Sequence, residues 1–232
     1  MIKIFIGYDE GEKIAFHILS ESIRRLSSEP VSIIPLDLNT IRNYFKRDKQ
    51  TNQSTEFAFS RFMVPYLSNY EGWSIFMDCD MLFRSDITEL WDMRTFKYSV
   101  MCCQHDYEPK QNVKFRGAKN EKFPKKNWSS MMLMNNAKCR LLTPEYVTTA
   151  SGLELHQFKW LSSDKEIGRI PKTWNWLVGE YEYNVMANNV HFTLGGPYFK
   201  EYKIVIIHMN GLLYMMIQLR LIYDNYTRFR LG

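Results

Sequence analysis

"GWSIFMDCDMLF", residues 72–83, is an apolar, β-prone run that carries two aspartates, Asp78 and Asp80, toward its far end. A carboxylate in an apolar strand is costly unless its charge is compensated, and two in one short stretch are costlier still. On an extended segment residues i and i+2 face the same side, so both carboxylates can meet at one point, where a divalent cation relieves their repulsion. Hard oxygen donors suit Mn²⁺ or Mg²⁺, ions that commonly complete their shell with phosphate oxygens. The plainer alternative is that the pair caps a turn or the helix start near "SDITELW" (85–91). The place of the pair, at the end of a third strand in an α/β chain, favours the metal.

Before this stretch, "IKIFIGY" (2–8) reads as a strand ending at Gly7. "DEGEKIAFHILSESIRRLSS" (9–28) then reads as a helix with Ile14, Phe16, Ile18, Leu19, Ile23 and Leu26 near one face. "VSIIPLDL" (31–38) reads as a second strand, and "STEFAFSRFMVPYLSNY" (54–70) as a second amphipathic helix, with Ser54 or Thr55 as N-cap and Glu56 in the first turn. The run 73–83 is the third strand. After it, "YSVMCCQHDY" (98–107) and "WSSMMLMNN" (128–136) read as two more strands, separated by a basic loop from Lys110 to Lys126. A helix is expected from Pro144, then a Trp-rich loop region (156–181) and "VHFTLGGPYFKEY" (190–202). The alternation predicts a single α/β domain: a mostly parallel, twisted, Rossmann-like sheet flanked by helices, with its ligand site at the carboxyl ends of the strands.

The 232 residues are 45% hydrophobic, 24% charged and 15% aromatic, which suits one well-filled core. A net charge of +5, with scattered basic residues, points to an anionic ligand and away from nucleic acid. The cysteines, Cys79, Cys102, Cys103 and Cys139, form no CxxC pair, which favours a reducing compartment over a zinc site or a disulfide scaffold. Met1 leads directly into a strand and no run approaches about 20 apolar residues, so the expectation is a cytoplasmic protein without signal peptide or membrane span. "GYDEGEK" (7–13) is neither a P-loop nor a dinucleotide fingerprint, which weighs against kinases, dehydrogenases and nucleotidyltransferases.

Taken in order, "IFIGYD", "STEFAFSRFMVPYL", "GWSIFMDCDML", "KNWSSMMLMNN", "WLSSDKEIGRIPKTWNWLVGEY" and "HFTLGGPYF" resemble the nucleotide-sugar-dependent glycosyltransferases of GT-A fold, nearest to family 8 and glycogenin-like enzymes and to related bacterial and viral enzymes. The resemblance covers residues 1–203 as one GT-A domain. It implies a metal-dependent transfer of a sugar from a nucleoside-diphosphate donor, a UDP-sugar by preference, to a hydroxyl acceptor on a glycan, a lipid-linked saccharide or another molecule, in glycan or surface polysaccharide synthesis. A binding protein for nucleotide sugars and a metal-dependent nucleotidyltransferase are the alternatives.

By the same resemblance, Asp78, Asp80 and His191 hold Mn²⁺ or Mg²⁺ on the donor diphosphate. Gly195 and Gly196 then let backbone approach the phosphates, and Lys200 adds a positive charge. Gly7, Tyr8 and Asp9 form part of the nucleotide pocket, where Tyr8 either offers a face to a base or is a core aromatic. Arg61 points toward the nucleotide or its diphosphate. Asn127, Ser129 and Ser130 bond the donor sugar beside a wall from Trp128. Asp164 lies near the reacting carbon as general base, nucleophile or sugar-hydroxyl ligand. His105 and Asp106, followed by the basic loop, read either as acceptor-side residues or as part of a solvated loop.

After Lys203 the resemblance stops. Relatives continue with a peptide of the type Asn-Cys-Asp-Tyr-Ser-Tyr-Glu-Trp, whereas this chain reads "IVIIHMNG" (204–211) and then "LLYMMIQLRLIYDNYTRFRLG". One choice of codons for the first peptide, read one base out of phase, spells the second, so one expectation is a frameshift at the Lys203 codon that leaves residues 204–232 without an evolved role. The other is a cationic amphipathic helix, with Arg220, Arg228 and Arg230, resting peripherally on a membrane.

Overall fold

The computed structural model describes residues 1–47, 55–110 and 122–196. The six-stranded main sheet has the order β2-β1-β3-β6-β5-β7, built from Ile2–Gly7 (β1), Val31–Leu36 (β2), Trp73–Met77 (β3), Val100–Cys103 (β5), Met131–Asn135 (β6) and Ile167–Ile170 (β7). β1 pairs in parallel with β2 and β3, β5 pairs in parallel with β7, and β6 lies antiparallel between β3 and β5. Five strands therefore run one way and β6 alone runs the other. The mostly parallel α/β sheet expected from the alternation of patterns is the sheet observed.

The strand sequences fit their places. β1 and β3 are largely apolar, interrupted only by Lys3 and Ser74, because both faces of a central strand are covered. β2 holds Pro35, which cannot donate to a ladder, and β2 is an edge. The helix Lys13–Leu26 (α1) follows β1 and buries Phe16, Leu19 and Ile23 on the core.

Three expectations need correction. The run 73–83 is not one strand: β3 ends at Met77, and Met81–Phe83 (β4) belongs to a second, three-stranded sheet. There β4 pairs antiparallel with Asn189–His191 (β9), which is parallel to Trp176–Leu177 (β8). Asp78 and Asp80 thus sit where the chain crosses between sheets. The α1 face anchors that crossing, since Phe83 N donates to Ser22 Oγ at 3.2 Å and Ile18 packs in one cluster with Leu82, Val190 and Phe192.

The expected helix 54–70 is broken into Phe57–Ser60, a 3-10 turn Arg61–Met63, and Val64–Leu67. Pro65 supplies no N–H to the Arg61 carbonyl, so the α ladder is interrupted there. Glu56 precedes the first piece without a side-chain cap, and its N–H goes instead to Asp9 Oδ2 at 3.4 Å; Ser54 lies outside the described residues. The loop region 156–181 contains β7 and β8, too short to show a period.

The helix begun by Pro144 ends at Thr149, capped by the Thr143 hydroxyl. A second short helix, Gly152–His156, opens on a Ser151/Glu154 capping box. All four cysteines are buried free thiols, and no described helix is long and apolar enough to cross a membrane. Lys200 and the tail 204–232, with both of its readings, lie outside the described residues.

Candidate active site

Topology brings one set of chain segments together. The carboxyl ends of β1, β3, β5 and β7 lead to Tyr8–Asp9, Asp78–Asp80, His105–Tyr107 and Asn175, and antiparallel β6 enters the same edge from Asn127–Ser130. The register that sets Met81 opposite His191 delivers the imidazole to the aspartates, and Phe192 N donates to the Asp80 carbonyl at 2.8 Å.

Asp78, Asp80 and His191 each offer one ligand atom, and these atoms lie within 4.8 Å of one another. Asp80 Oδ1 is 3.2 Å from His191 Nε2 and, apart from this ion pair, has no hydrogen-bond partner. A buried carboxylate oxygen facing a ring nitrogen, in a set of two oxygens and one nitrogen, fits a divalent cation such as Mn²⁺ or Mg²⁺. Burial alone lowers the His191 pKa, but the Asp80 charge outweighs it and holds the imidazole above its ordinary value. Burial likewise works to raise Asp80, and the His191 charge brings it below the usual carboxylate range.

Sequence reasoning missed Asn175. Fully buried after β7, its Oδ1 lies 2.9 Å from His191 Nδ1 and its Nδ2 donates to Ser130 Oγ at 2.8 Å. Ser130 Oγ in turn donates to the Asn127 carbonyl at 2.7 Å. Because the amide nitrogen of Asn175 is committed to Ser130, its oxygen accepts from His191 Nδ1–H and leaves Nε2 facing the carboxylates. Ser130, expected at the donor sugar, is therefore a buried link in this relay.

Arg61 is buried beside Asp78. Its Nη1 lies 2.9 Å from Asp78 Oδ1 and donates to the Ser129 carbonyl at 2.9 Å, with the guanidinium 4.9 Å from the Phe76 ring centroid. It positions Asp78 within the protein and does not project toward open space. Behind the pair, Cys79 Sγ donates to buried Glu12 Oε2 at 3.2 Å, and burial together with Glu12 pushes the Cys79 thiol well above its ordinary value.

At the β1 end, a Cβ on Gly7 would meet the Phe57 ring at 2.4 Å, so glycine is required by close packing. Tyr8 is half-buried, edge-on to Phe16, and donates to Glu10 at 2.9 Å. Asp9 is buried and caps the following 3-10 turn through Gly11 N at 2.9 Å. Asn127 adopts a left-handed backbone (φ 61°) and donates to Tyr107 Oη at 2.8 Å. Trp128 Nε1 donates to the His105 carbonyl at 2.7 Å. Ser129 Oγ lies 2.7 Å from Nδ1 of His156, a second missed residue. Gly195, at φ 119°, turns the chain after β9 with N donating to the Phe192 carbonyl at 2.8 Å, and Gly196 is buried beside it.

Asp164 is not brought to this cluster. It precedes the amino end of β7, whereas Asp78 follows the carboxyl end of β3, a strand of the same direction. Its side chain is 73% exposed and paired with Lys125 Nζ at 2.5 Å. His105 is buried at the carboxyl end of β5, and Asp106 beside it is exposed.

Comparison with known proteins agrees with this architecture. Protein CDI of Arabidopsis thaliana is 45% identical over 210 residues, covering 87% of this chain and 81% of that protein. The fold resembles the WbbM bifunctional glycosyltransferase (TM-score 0.59, 12% identity), over 88% of this chain but only 49% of that one. It also resembles the glycosyltransferase GlyE of Streptococcus pneumoniae TIGR4 (TM-score 0.54, 13% identity, 86% of this chain, 57% of that one). The galactosyltransferase LgtC, solved with donor and acceptor sugar analogues, matches over 87% of this chain and 91% of its own (TM-score 0.51, 10% identity). These identities speak to the fold, which is GT-A. Residues 2–212 match the profile "Glycosyl transferase family 8", and the chain belongs to that family of glycosyltransferases.

Proposed function

We propose that this glycosyltransferase takes its sugar from a UDP-linked donor whose diphosphate is held by a divalent cation, Mn²⁺ or Mg²⁺, on Asp78, Asp80 and His191. The observation that carries the reading is the convergence of two carboxylate oxygens and one imidazole nitrogen within 4.8 Å at the carboxyl edge of the sheet. A cation there supplies Lewis-acid stabilisation of the charge that builds on the departing diphosphate.

The protein's own residues do the rest. Asn175 keeps His191 Nε2 toward the carboxylates, and Arg61 fixes the Asp78 rotamer from behind. Tyr8 and Asp9, at the end of the adjoining parallel strand β1, stand on the nucleotide side. Trp128 and Asn127, at the entry to β6, stand on the side where the donor sugar fits this reading. The four buried thiols suit a reducing compartment, and we place the enzyme in the cytoplasm on that ground.

The test is a UDP-release assay with UDP-glucose, UDP-galactose, UDP-xylose and UDP-N-acetylglucosamine, run with Mn²⁺ and again with EDTA. Release from at least one donor that stops on chelation is expected. Release that persists undiminished in EDTA contradicts the metal, and release from none of the four contradicts the donor class.

A further inference from the structure

We propose that Glu12 is a positioning residue for the cation site: through the Cys79 thiol it holds the crossing between β3 and β4 in the shape that turns Asp78 and Asp80 toward one ion. The inference rests on the metal reading above and adds to it a residue that touches neither the ion nor the donor.

Glu12 breaks the ordinary rule of burial. It is 2% exposed, although a carboxyl group costs stability when taken out of water. It stands just before α1, where a side chain can accept from the first helical turn, yet its side chain makes no capping bond. The carboxyl group instead reaches across to the exit of β3, where Cys79 Sγ donates to Oε2 at 3.2 Å. Its destination is the crossing that carries the aspartates, not the helix it precedes.

Three successive residues of that crossing are tied to three different elements. Asp78 N donates to the Ser130 carbonyl at the entry to β6, and the Asp80 carbonyl accepts from Phe192 N after β9, each at 2.8 Å. Between them Cys79, fully buried, is tied to the start of α1 through Glu12. The first two ties are backbone bonds, so the side-chain tie at Cys79 is where residue identity sets the shape of the crossing. The two carboxyl groups and the His191 ring offer ligand atoms within 4.8 Å of one another, and so close a set tolerates little rotation of the segment that carries two of its members.

Glu12 is itself held in place. Its N donates to the Asp9 carbonyl at 2.8 Å, while Asp9 Oδ1 accepts from Gly11 N at 2.9 Å and Oδ2 from Glu56 N at 3.4 Å. The Glu12–Cys79 bond therefore joins the turn that carries Tyr8 and Asp9 to the segment that carries Asp78 and Asp80. A thiol is a weak donor, so the bond contributes little to stability, and its effect is on the register of these two segments.

The experiment titrates Mn²⁺ calorimetrically into the whole chain with UDP present. Glu12→Leu removes the acceptor, Cys79→Ala removes the donor, the double variant removes both, and Cys79→Ser keeps a donor. Each single loss should weaken Mn²⁺ binding about tenfold, as removal of an outer partner of a metal site does. The double variant should be no weaker than the weaker single, because the same bond is lost in each case. Cys79→Ser should stay within about threefold of the wild type, since its hydroxyl donates to the same oxygen. Tm should not fall in Glu12→Leu, where an apolar side chain replaces a buried acid. A lower Tm with Mn²⁺ binding intact shows a role in stability alone and overturns the proposal. Losses of Mn²⁺ affinity that multiply in the double variant also overturn it, because Glu12 then does not act through Cys79. The two ends of the bond are altered separately, so if one variant does not fold the other decides. If the wild-type chain with UDP binds no Mn²⁺, the metal reading fails first and the positioning role with it.

Discussion

Oδ1 of Asn175 lies 2.9 Å from Nδ1 of His191, and the opposite nitrogen of the same ring lies 3.2 Å from Oδ1 of Asp80. A buried amide thus orients the imidazole that closes the candidate metal triad. Removing such an outer partner typically costs about 10–100-fold in metal affinity. Asn175→Ala should weaken Mn²⁺ binding by that factor in a direct titration, while the affinity for UDP in EDTA stays the same. An unchanged Mn²⁺ affinity contradicts the positioning role.

The same ring sets a pH dependence. In the metal-free protein burial opposes the imidazolium but the Asp80 charge wins, so His191 titrates above its ordinary value of about 6.5. With the folded value above the unfolded one, stability from this pair is fully present below about pH 6.5 and is lost as pH rises through the raised value. Metal binding has the opposite sign, because Nε2 must lose its proton to ligate. Mn²⁺ affinity should therefore fall about tenfold per unit once pH drops below the His191 value, whereas Asp80, held low, stays ionised. Calorimetry from about pH 5.5 to about pH 8.5 checks this, and a flat profile counts against ligation by His191.

Gly7→Ala tests the packing between β1 and the helix at Phe57. The added Cβ meets the ring at 2.4 Å, and overpacking of this kind costs about 1–3 kcal/mol. For a chain of this size each kcal/mol lowers Tm by about 2–4 °C. Differential scanning calorimetry should show a loss of at least about 2 °C, and no loss means that Phe57 gives way freely.

Asp164 opens the 3-10 turn before β7. It is largely exposed and paired with Lys125. Asp164→Asn should leave metal-dependent UDP binding within about twofold and cost well under 1 kcal/mol of stability, as is usual for an exposed ion pair. A tenfold loss of UDP binding places it in the site after all.

Much of the fold was legible because it follows from long periodic segments. The apolar run of β1, the α1 face through Phe16, Leu19 and Ile23, and the two strands β5 and β6 declare themselves through burial on one or both faces. The break at Met77 was not legible, since Met81, Leu82 and Phe83 are as apolar as β3 and only pairing with β9 separates the sheets. At the site, Asp78 and Asp80 stand out as charges in an apolar run, and His191 is drawn to them by a register that no local pattern reveals. Asn175 and His156 carry no such signal. Each becomes visible only when β7 and the short helix Gly152–His156 are folded against the strands they serve, and "WNW" in particular reads as an aromatic loop.

The most direct measurement is a calorimetric titration of UDP into the protein with and without Mn²⁺, repeated on Asp80→Ala. Micromolar binding that requires both the ion and Asp80 is the predicted result, with the variant retaining the wild-type far-UV spectrum. UDP binding of equal strength in Mn²⁺ and in EDTA, or undiminished in Asp80→Ala, would contradict the assignment of the crossing between β3 and β4 to a metal-held diphosphate.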